Sequence, residues 1–348
     1  MRVGLDVSPL HLTRAGTARV IQNLLEAGGP GAGLEIVPLD FGGSGRAAAA
    51  LRDAWWYPHA LPRQARRARV DVLHCPSFRG PVASPVPLVV TVHDLAVLRH
   101  PELFNRWTRE YSRRYVPRVV EAATVVVAVS EFTRGELVEV LGTPPGKVRV
   151  VPNAVPAGFS PDGPRADGDY VLAVGTLEPR KNLVRLAEAA ALAGVELRVV
   201  GARGWGGVEL PAHVRLAGPV GDEELAALYR GARCLAYPSL YEGFGIPIVE
   251  AMACGTPVVT SRGGATEEVA GGAAALVDPL DPASIAAGIR EAATRAGELR
   301  AAGLQRARAF TRERVVEAML AVYREAAAGG KACAAAAATA AAATARSS

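Results

Sequence analysis

The sequence predicts an α/β protein built from two doubly wound domains. Short apolar runs alternate with longer helix-like segments along the chain, which is the pattern of a parallel sheet covered by helices on both faces. The pattern runs through twice, and the Pro- and Gly-rich stretch 160–169 separates the two runs. The length of 348 residues also exceeds the size at which a single core usually stops growing. We therefore predict two domains that face each other across a cleft.

The first domain is predicted to span residues 1–165. Its apolar runs have the length of buried strands, and helix-like segments of mixed polarity separate them. The predicted strands are 3–7, 34–38, 70–74, 88–92, 124–129 and 148–151. The predicted helices include 17–27, 101–122 and 131–141.

The second domain is predicted to span residues 166–330, with its last helix packing back on the first domain. A strand begins at Tyr170, and further strands are predicted at 195–200, 214–217, 234–237, 257–260 and 274–277. The predicted helices are 183–193, 223–231, 246–254, 282–302 and 312–328. The Ala-rich tail 331–348 is interpreted as an appendage without function. Because such sheets bind ligands beyond the carboxyl ends of their strands, we expect the site in the cleft between the domains.

Composition and cysteine usage indicate a globular intracellular chain. Half of the residues are apolar and 21% are charged, which excludes a disordered or fibrous protein. Cys75, Cys234, Cys254 and Cys333 are widely spaced and form no Cys-x-x-Cys pair, so a reducing compartment is expected. Asp6 interrupts the first apolar run, which argues against a signal peptide, and no stretch has the roughly 20 strongly apolar residues of a membrane span. We therefore predict a cytoplasmic protein.

The stretch 99–118 interleaves arginines with aromatic residues in a chain whose net charge is +5. Such a face suits an anionic partner, either a membrane surface or a nucleic acid. The alternative is a solvated arginine-rich helix face without a partner. Because no recognised nucleic-acid-binding module accompanies the stretch, we expect no nucleic acid. A peripheral contact with the inner face of an anionic membrane is the functional alternative.

The loop 175–182 carries two adjacent cations at the start of a helix. It follows a predicted strand, turns at Gly175, and delivers Arg180 and Lys181 side by side. Cations beside a helix N-terminus favour a diphosphate, because charge-assisted hydrogen bonds and the helix dipole act together. The alternative is a basic helix start that pairs with surface carboxylates.

The loop that follows strand 234–237 carries two glutamates eight residues apart. Glu242 lies in the loop, and Glu250 lies about one turn inside the next helix. Gly243 and Gly245 allow close approach of the backbone, so the amides of Phe244 and Gly245 can hold sugar hydroxyls or phosphate oxygens. Since carboxylates accept hydrogen bonds from vicinal hydroxyls, one glutamate suits a sugar ring and the other a ribose. The alternative is an unrelated pair of surface and helix glutamates.

These motifs, taken in order, resemble the retaining GT-B glycosyltransferases of family 4. The resemblance rests on Tyr241-Glu-Gly-Phe-Gly-Ile-Pro-Ile-Val-Glu250 and its continuation to Ser261, with 175–182 before it. It extends over nearly the whole chain through 151–154, 263–268 and 275–279. Successive motifs at successive strand ends are far more specific than any one of them.

The resemblance implies particular roles for the charged residues. Glu242 would face the transferred sugar, Glu250 the nucleotide ribose, and Arg180 with Lys181 the diphosphate leaving group, on which negative charge grows as the glycosidic bond breaks. Many members carry an arginine directly after the strand-end glycine, where this chain has Thr176. Lys181 matches the family lysine, whereas Arg180 is interpreted as a substitute for the missing arginine.

The family also places a histidine against the donor sugar, and His93, at the end of strand 88–92, fits that position. The alternative for His93 is a structural histidine that bonds a nearby carbonyl or Asp94. Gly16, followed by Arg19, resembles the family's glycine-bearing loop beside the donor phosphates and the acceptor. The remaining positions expected to bind the donor are Asn153, Gly175, Ser239, Gly243, Phe244, Gly245 and Glu250.

The resemblance further implies transfer with retention, without a protein cofactor. We find no carboxylate that stands out as a nucleophile and no histidine and acidic spacing typical of a metal site, so the catalytic roles go to His93, Arg180, Lys181 and Glu242. The loop 176–182 is similar to that of many mannosyltransferases, which favours GDP-mannose over UDP-sugars as the donor. The expected acceptor is a glycan, a lipid-linked glycan or a small molecule. The alternatives are a nucleotide-sugar epimerase on the same fold and a non-catalytic nucleotide-sugar-binding protein.

Overall fold

The computed structural model describes residues 1–11, 16–27 and 33–344. Within these ranges the chain forms two six-stranded sheets in which every pair of neighbouring strands is parallel. The first sheet contains β1 (Arg2–Asp6), β2 (Glu35–Leu39), β3 (Val72–Cys75), β4 (Leu88–Val92), β5 (Val125–Ala128) and β6 (Val148–Val150). The second contains β7 (Tyr170–Val174), β8 (Glu196–Val200), β9 (Arg215–Gly218), β10 (Cys234–Tyr237), β11 (Val258–Ser261) and β12 (Ala275–Val277).

The strand order of each sheet creates one point where the chain changes direction across the sheet. The first sheet has the order β2-β1-β3-β4-β5-β6, and the second has β12-β11-β10-β7-β8-β9. The direction changes between β1 and β3 in the first sheet and between β7 and β10 in the second. Loops that leave neighbouring strands on opposite sides of such a point open a crevice beyond the strand ends, where ligands bind. The topology therefore marks one candidate site in each sheet.

Helices cover both faces of the two sheets. In chain order they are α1 (Gly16–Ala27), α2 (Arg46–Leu51), α3 (Leu61–Arg67), α4 (Ala96–Arg99), α5 (Arg106–Ala122), α6 (Glu131–Leu141), α7 (Leu183–Ala193), α8 (Asp222–Gly231), α9 (Ile246–Ala253), α10 (Gly264–Ala270), α11 (Pro282–Thr294), α12 (Ala296–Ala307) and α13 (Arg312–Thr344). A π-helical segment, Arg52–Ala60, joins α2 to α3.

The central strands are apolar on both faces because helices bury both faces of a parallel sheet. In β4 and β5 every residue is buried, and most of them are valines, whose branched side chains suit a pleated surface. The last helix, α13, belongs to the core of the first sheet, where Met319, Val322 and Tyr323 pack with Val3 and Leu5. The chain thus returns to its first half after completing the second sheet.

The predicted fold class of two doubly wound α/β units is confirmed, but two helix predictions were wrong. The predicted helix 101–122 is interrupted, because Asn105 is extended and its side chain accepts the N–H of Thr108 at 2.9 Å, which starts α5 afresh. The predicted helix 282–302 is broken at Arg295 into α11 and α12. The last helix continues past residue 328 to Thr344. The helical stretch 46–67 was not predicted, since it lacks a clean helical period and contains Pro58.

Two further predictions concern features that the structure describes only in part. Cys75, Cys234 and Cys254 are buried and unpaired, whereas the side chain of Cys333 lies outside the described residues. The last four residues of the predicted tail, 345–348, also lie outside them. In the portion of the chain that is described, no helix combines the length and the apolar character needed to cross a membrane.

Candidate functional site

Two loops meet at the point where the second sheet changes direction. The chain leaves β7 at Gly175 and forms a short helical turn, Pro179–Lys181, before α7. The other loop leaves β10 and enters α9. Asn182, in a left-handed conformation with φ 59°, donates from Nδ2 to the Pro238 carbonyl at 3.0 Å. Because Leu240 N–H also donates to the Arg180 carbonyl at 2.8 Å, the two loops are held together as one unit.

A buried ionic cluster lies between these loops, with Glu242 at its centre. Lys181 Nζ donates to Glu242 Oε1 at 2.5 Å, and Arg180 Nη1 donates to Oε2 at 2.8 Å. The Tyr237 hydroxyl also donates to Oε1, at 2.8 Å. Arg180 is held from its other side by Glu178, whose Oε1 lies 2.6 Å from Nε. The structure thus brings together three of the four residues predicted to be catalytic.

The neighbouring cations determine the charge state of Glu242. Burial raises the pKa of its carboxyl, but Lys181 and Arg180 outweigh burial and hold the pKa at about 2. The carboxylate is therefore ionised at neutral pH. Its pairing adds stability that is fully present above the ordinary glutamate pKa of about 4.3, and this stability is lost as the pH falls towards 2.

Glycines shape the path of the site loops. A Cβ on Gly175 would lie 3.2 Å from Lys181 Cε, so the glycine leaves room for the lysine to cross the turn. Gly245 has φ 97°, which favours glycine, and it directly precedes α9. Gly16, on α1 of the first half, also reaches this region, since a Cβ there would lie 2.9 Å from Ile246 Cδ1. The start of α1 therefore abuts the start of α9.

Glu250 lies on the buried face of α9 and is already paired. The Tyr229 hydroxyl donates to Oε2 at 2.9 Å, and the Arg19 guanidinium forms an ion pair with Oε1. Arg19 also binds Asp222, with 2.7 Å between Nη2 and Oδ1, and lies over the ring of Phe159 at 5.4 Å. Burial raises the pKa of Glu250, and Arg19 opposes that effect. Arg19 thus reaches from α1 to the carboxylate to which the family resemblance gives the role of binding the ribose.

His93 directly follows β4, and its carbonyl contacts Gly243 in the loop that carries Glu242. Its Nε2 donates to the Pro76 carbonyl at 2.9 Å, which assigns the proton to Nε2 and leaves Nδ1 as an acceptor. Burial lowers its pKa below the usual value of 6.5, so the imidazole is neutral at pH 7.

Gly243 is a point of close backbone contact between the two halves of the chain. A Cβ on Gly243 would lie 1.6 Å from the His93 carbonyl oxygen, so the two backbones are in direct contact. The Gly243 carbonyl accepts hydrogen bonds from Ser130 Oγ at 2.7 Å and Thr133 Oγ1 at 3.1 Å. These contacts hold the loop of Glu242 against the first half of the chain.

Three other residues that were predicted to bind the donor contact parts of the protein outside the ionic cluster. Ser239 is buried, and its carbonyl accepts the Ser261 hydroxyl at 2.6 Å. Phe244 is buried edge-on against Phe310, with ring centroids 5.5 Å apart. Asn153 lines an apolar cavity between α1 and α13 rather than the cluster around Glu242. The structure therefore does not bring Asn153 to the other predicted residues.

Several residues that hold the site were not found from the sequence. Tyr237 is the last residue of β10, and its only sequence signal was a polar side-chain atom at a strand end. No sequence signal indicated a role for Tyr229 on α8. Glu268 accepts the backbone N–H groups of Glu131 and Phe132, each at 2.8 Å, and so caps α6 from the other half of the chain. Its place in the motif 263–268 was the available signal. In the described ranges no three His, Cys, Asp or Glu side chains lie close enough to hold a metal ion.

Comparisons with known proteins identify the fold and the family of the chain. A model of the family "Glycosyl transferases group 1" matches residues 159–310, and one of "Glycosyltransferase Family 4" matches residues 21–159. Sucrose-phosphate synthase of Thermosynechococcus elongatus superposes with a TM-score of 0.74 at 19% identity, over 93% of this chain and 98% of that one. The fold is therefore GT-B, and the protein is a GT-B glycosyltransferase.

Two curated relatives show to which family of GT-B glycosyltransferases the chain belongs. O-antigen chain mannosyltransferase B of Escherichia coli is 32% identical over 271 residues, which cover 68% of this chain and 70% of that protein. D-inositol 3-phosphate glycosyltransferase of Geodermatophilus obscurus is 34% identical, over 70% of this chain and 62% of that protein. The chain belongs to glycosyltransferase family 4, a family of retaining hexosyltransferases. The resemblance drawn from the motifs is confirmed.

Proposed function

We propose that the protein transfers mannose from GDP-mannose to a glycan or lipid-linked glycan acceptor. The observation that carries the proposal is the buried Lys181–Glu242–Arg180 cluster at the point where the second sheet changes direction. Such a point is the ligand crevice of a doubly wound sheet. The C-terminal half, residues 166–330, would bind the donor, and the N-terminal half, up to residue 165, would present the acceptor.

The chemistry assigned to the cluster is stabilisation of the departing diphosphate. Lys181 and Arg180 directly precede α7, and they would meet the charge that grows on the diphosphate oxygens. Glu242 fixes both cations in place and offers its carboxylate to sugar hydroxyls. The backbone amides at the start of α9 would hold further oxygens of the donor.

Glu250 would accept the ribose hydroxyls once Arg19 moves away from it. Its burial and its bond from Tyr229 fix the carboxylate at one position. On the opposite wall, the neutral His93 would contact the transferred sugar. No general base is assigned, because the departing diphosphate can itself accept the proton of the acceptor hydroxyl.

Mannose and GDP are supported by two observations. The loop 176–182 is similar to that of many mannosyltransferases, and one relative is named as an O-antigen chain mannosyltransferase. Other relatives are named as D-inositol 3-phosphate glycosyltransferases, which keeps other donors and a small-molecule acceptor as competitors. An epimerase would convert the sugar without an acceptor, and a binding protein would convert nothing.

We expect GDP to raise the melting temperature more than UDP or ADP. A ligand at 100 times its Kd stabilises the folded state by about 2.7 kcal/mol, which corresponds to a shift of roughly 4 °C for a chain of this size. The measurement is a thermal melt with each nucleotide, using Glu250→Gln as the matched variant, in which the shift should shrink. Equal melting temperatures with and without all three nucleotides would refute the proposed donor site.

We further propose that α5 rests on an anionic membrane at the cytoplasmic face. Its solvent side exposes Trp107, which is 66% accessible, together with Tyr115. The same side exposes the arginines Arg106, Arg109, Arg113, Arg114 and Arg118. Cations with interfacial aromatic rings favour anionic lipid surfaces. The protein should sediment with phosphatidylglycerol vesicles at low salt but not with phosphatidylcholine vesicles, and equal sedimentation with both would exclude this contact.

A further inference from the structure

The first sheet has its own point of direction change, between β1 and β3, and a polar cluster is buried there. Asp6 is the last residue of β1, and Arg52 and Tyr57 lie on the π-helical segment above it. All three side chains are almost fully buried, with at most 1% of their surface exposed. They lie where a doubly wound sheet binds ligands, and none of them takes part in the donor site.

Each of these side chains keeps a polar atom without a partner in the protein. Asp6 Oδ1 accepts from the Ser8 hydroxyl at 2.7 Å and from Trp56 Nε1 at 3.3 Å, but Oδ2 has no partner. Arg52 Nη2 donates to the Gly43 carbonyl at 2.9 Å, whereas Nε and Nη1 have no partner. The Tyr57 hydroxyl also lacks one. Buried polar atoms without partners are costly, so their concentration in one place requires an explanation.

The three groups are within electrostatic reach of one another. Burial, followed by the charge of Asp6, raises the pKa of Tyr57. Burial raises the pKa of Asp6 to about 6, and the charge of Arg52 is among the effects that oppose this. No ion pair joins Asp6 to Arg52 among the described residues, so the acceptor atom of one and the donors of the other are free to bind a third group.

The segment 46–67 covers this cluster and is bounded by unusual backbone at both ends. Gly43 and Gly45 before it have φ 98° and 90°, and Arg69 after it has φ 51°, which is rare for a residue with a side chain. The middle of the segment is π-helical, a rare conformation that is frequently found at functional sites. Trp56, Tyr57 and Leu61 of the segment pack in the core of the first sheet, so a ligand reaches the cluster only when the segment is displaced from the sheet.

We propose that Asp6, Arg52 and Tyr57 form a subsite for hydroxyl groups of the sugar acceptor, covered by the segment 46–67. A vicinal diol would donate one hydroxyl to Asp6 Oδ2 and accept from Arg52 and Tyr57 with its oxygens. The rings of Phe41 and Trp56, whose centroids are 5.6 Å apart, border the cluster and would pack against a sugar ring. This inference rests on the proposed function, because it assigns the acceptor to the first half of the chain.

Two substitutions change only atoms that lack a partner. Tyr57→Phe removes the hydroxyl. Asp6→Asn keeps Oδ1 and its accepted bonds, and it replaces Oδ2 with a donor. In the free protein neither change removes a hydrogen bond, so both variants should melt at the wild-type temperature or above it. Tyr115→Phe, on the exposed side of α5, is the matched control.

The test is a titration with methyl α-D-mannopyranoside and methyl α-D-glucopyranoside, in the presence of GDP, followed by tryptophan fluorescence, to which Trp56 contributes. We expect saturable binding by the wild type and the control, about tenfold or more weakening in Asp6→Asn, and a smaller weakening in Tyr57→Phe. GDP affinity should be the same in all four proteins. Unchanged glycoside affinity in both variants, absence of saturable binding by the wild type, or a lower melting temperature in both variants would overturn the subsite. Failure to bind GDP would instead contradict the donor site.

Discussion

Replacing Lys181 with Met is expected to lower the rate of sugar release from the donor by a factor of about 10² to 10³. Lys181 supplies the shortest contact of the Glu242 carboxylate, at 2.5 Å, and the proposed charge opposite the leaving diphosphate. Removing one preorganised electrostatic group from a site that excludes water typically costs two to three orders of magnitude in rate. The measurement is donor turnover by purified protein.

The same substitution leaves the buried Glu242 carboxylate with one fewer cationic partner, which also lowers the stability of the fold. The effect on stability must therefore be separated from the effect on the reaction rate. Removing one partner of a buried ion pair costs about 3–5 kcal/mol, whereas removing both partners costs much less. The double variant Lys181→Met with Glu242→Gln should therefore recover part of the melting temperature without recovering turnover. Lys147→Met, whose lysine contacts a surface carbonyl, is the control. Wild-type turnover in Lys181→Met would remove the lysine from the mechanism.

Replacing Gly243 with Ala is expected to slow transfer by about 10²-fold or more, while nucleotide binding persists. The added Cβ would lie 1.6 Å from the His93 carbonyl oxygen and 2.7 Å from its carbon, both backbone atoms that cannot rotate away. The two halves of the chain must then separate at this contact. A misplacement of about 1 Å between reacting groups can cost 10²-fold in rate. Glu250, the proposed ribose ligand, lies seven residues further along the chain on α9, so the affinity for the free nucleotide should change by only a few fold.

The matched control is Gly221→Ala, because no atom lies within 4 Å of a Cβ built at Gly221. Transfer rate, nucleotide affinity by calorimetry and the radius of gyration in solution should be compared for the two variants. We expect a larger radius of gyration and slow transfer only in Gly243→Ala. A Gly243→Ala protein with the wild-type transfer rate would show that the contact with His93 is not needed for catalysis.

The strands and the charged centre of the site could be predicted from short stretches of sequence. Apolar runs such as 88–92 and 234–237 coincide with β4 and β10, because buried parallel strands are continuously apolar. Lys181 and Glu242 could be placed near each other because both follow strand ends that meet at one edge of a sheet.

The rest of the site depends on contacts that no local pattern encodes. Arg19 meets Glu250 from 231 positions away, and the pairing exists only once α1 is placed opposite α9. Glu268 caps α6 across a separation of 137 residues. The segment 46–67 was not predicted, because a π-helical turn has neither the period of an α-helix nor that of a strand.

The most direct test of the proposed chemistry is to follow the wild-type protein with GDP-mannose by proton NMR, without an acceptor and with a mannoside acceptor. We expect the released or transferred mannose to appear first with the anomeric configuration that it had in the donor, and GDP to accumulate in equal amount. UDP-glucose should react more slowly. Inverted sugar, an epimerised donor with no free GDP, or an unchanged donor under both conditions would contradict retaining transfer of mannose at the Lys181–Glu242 site.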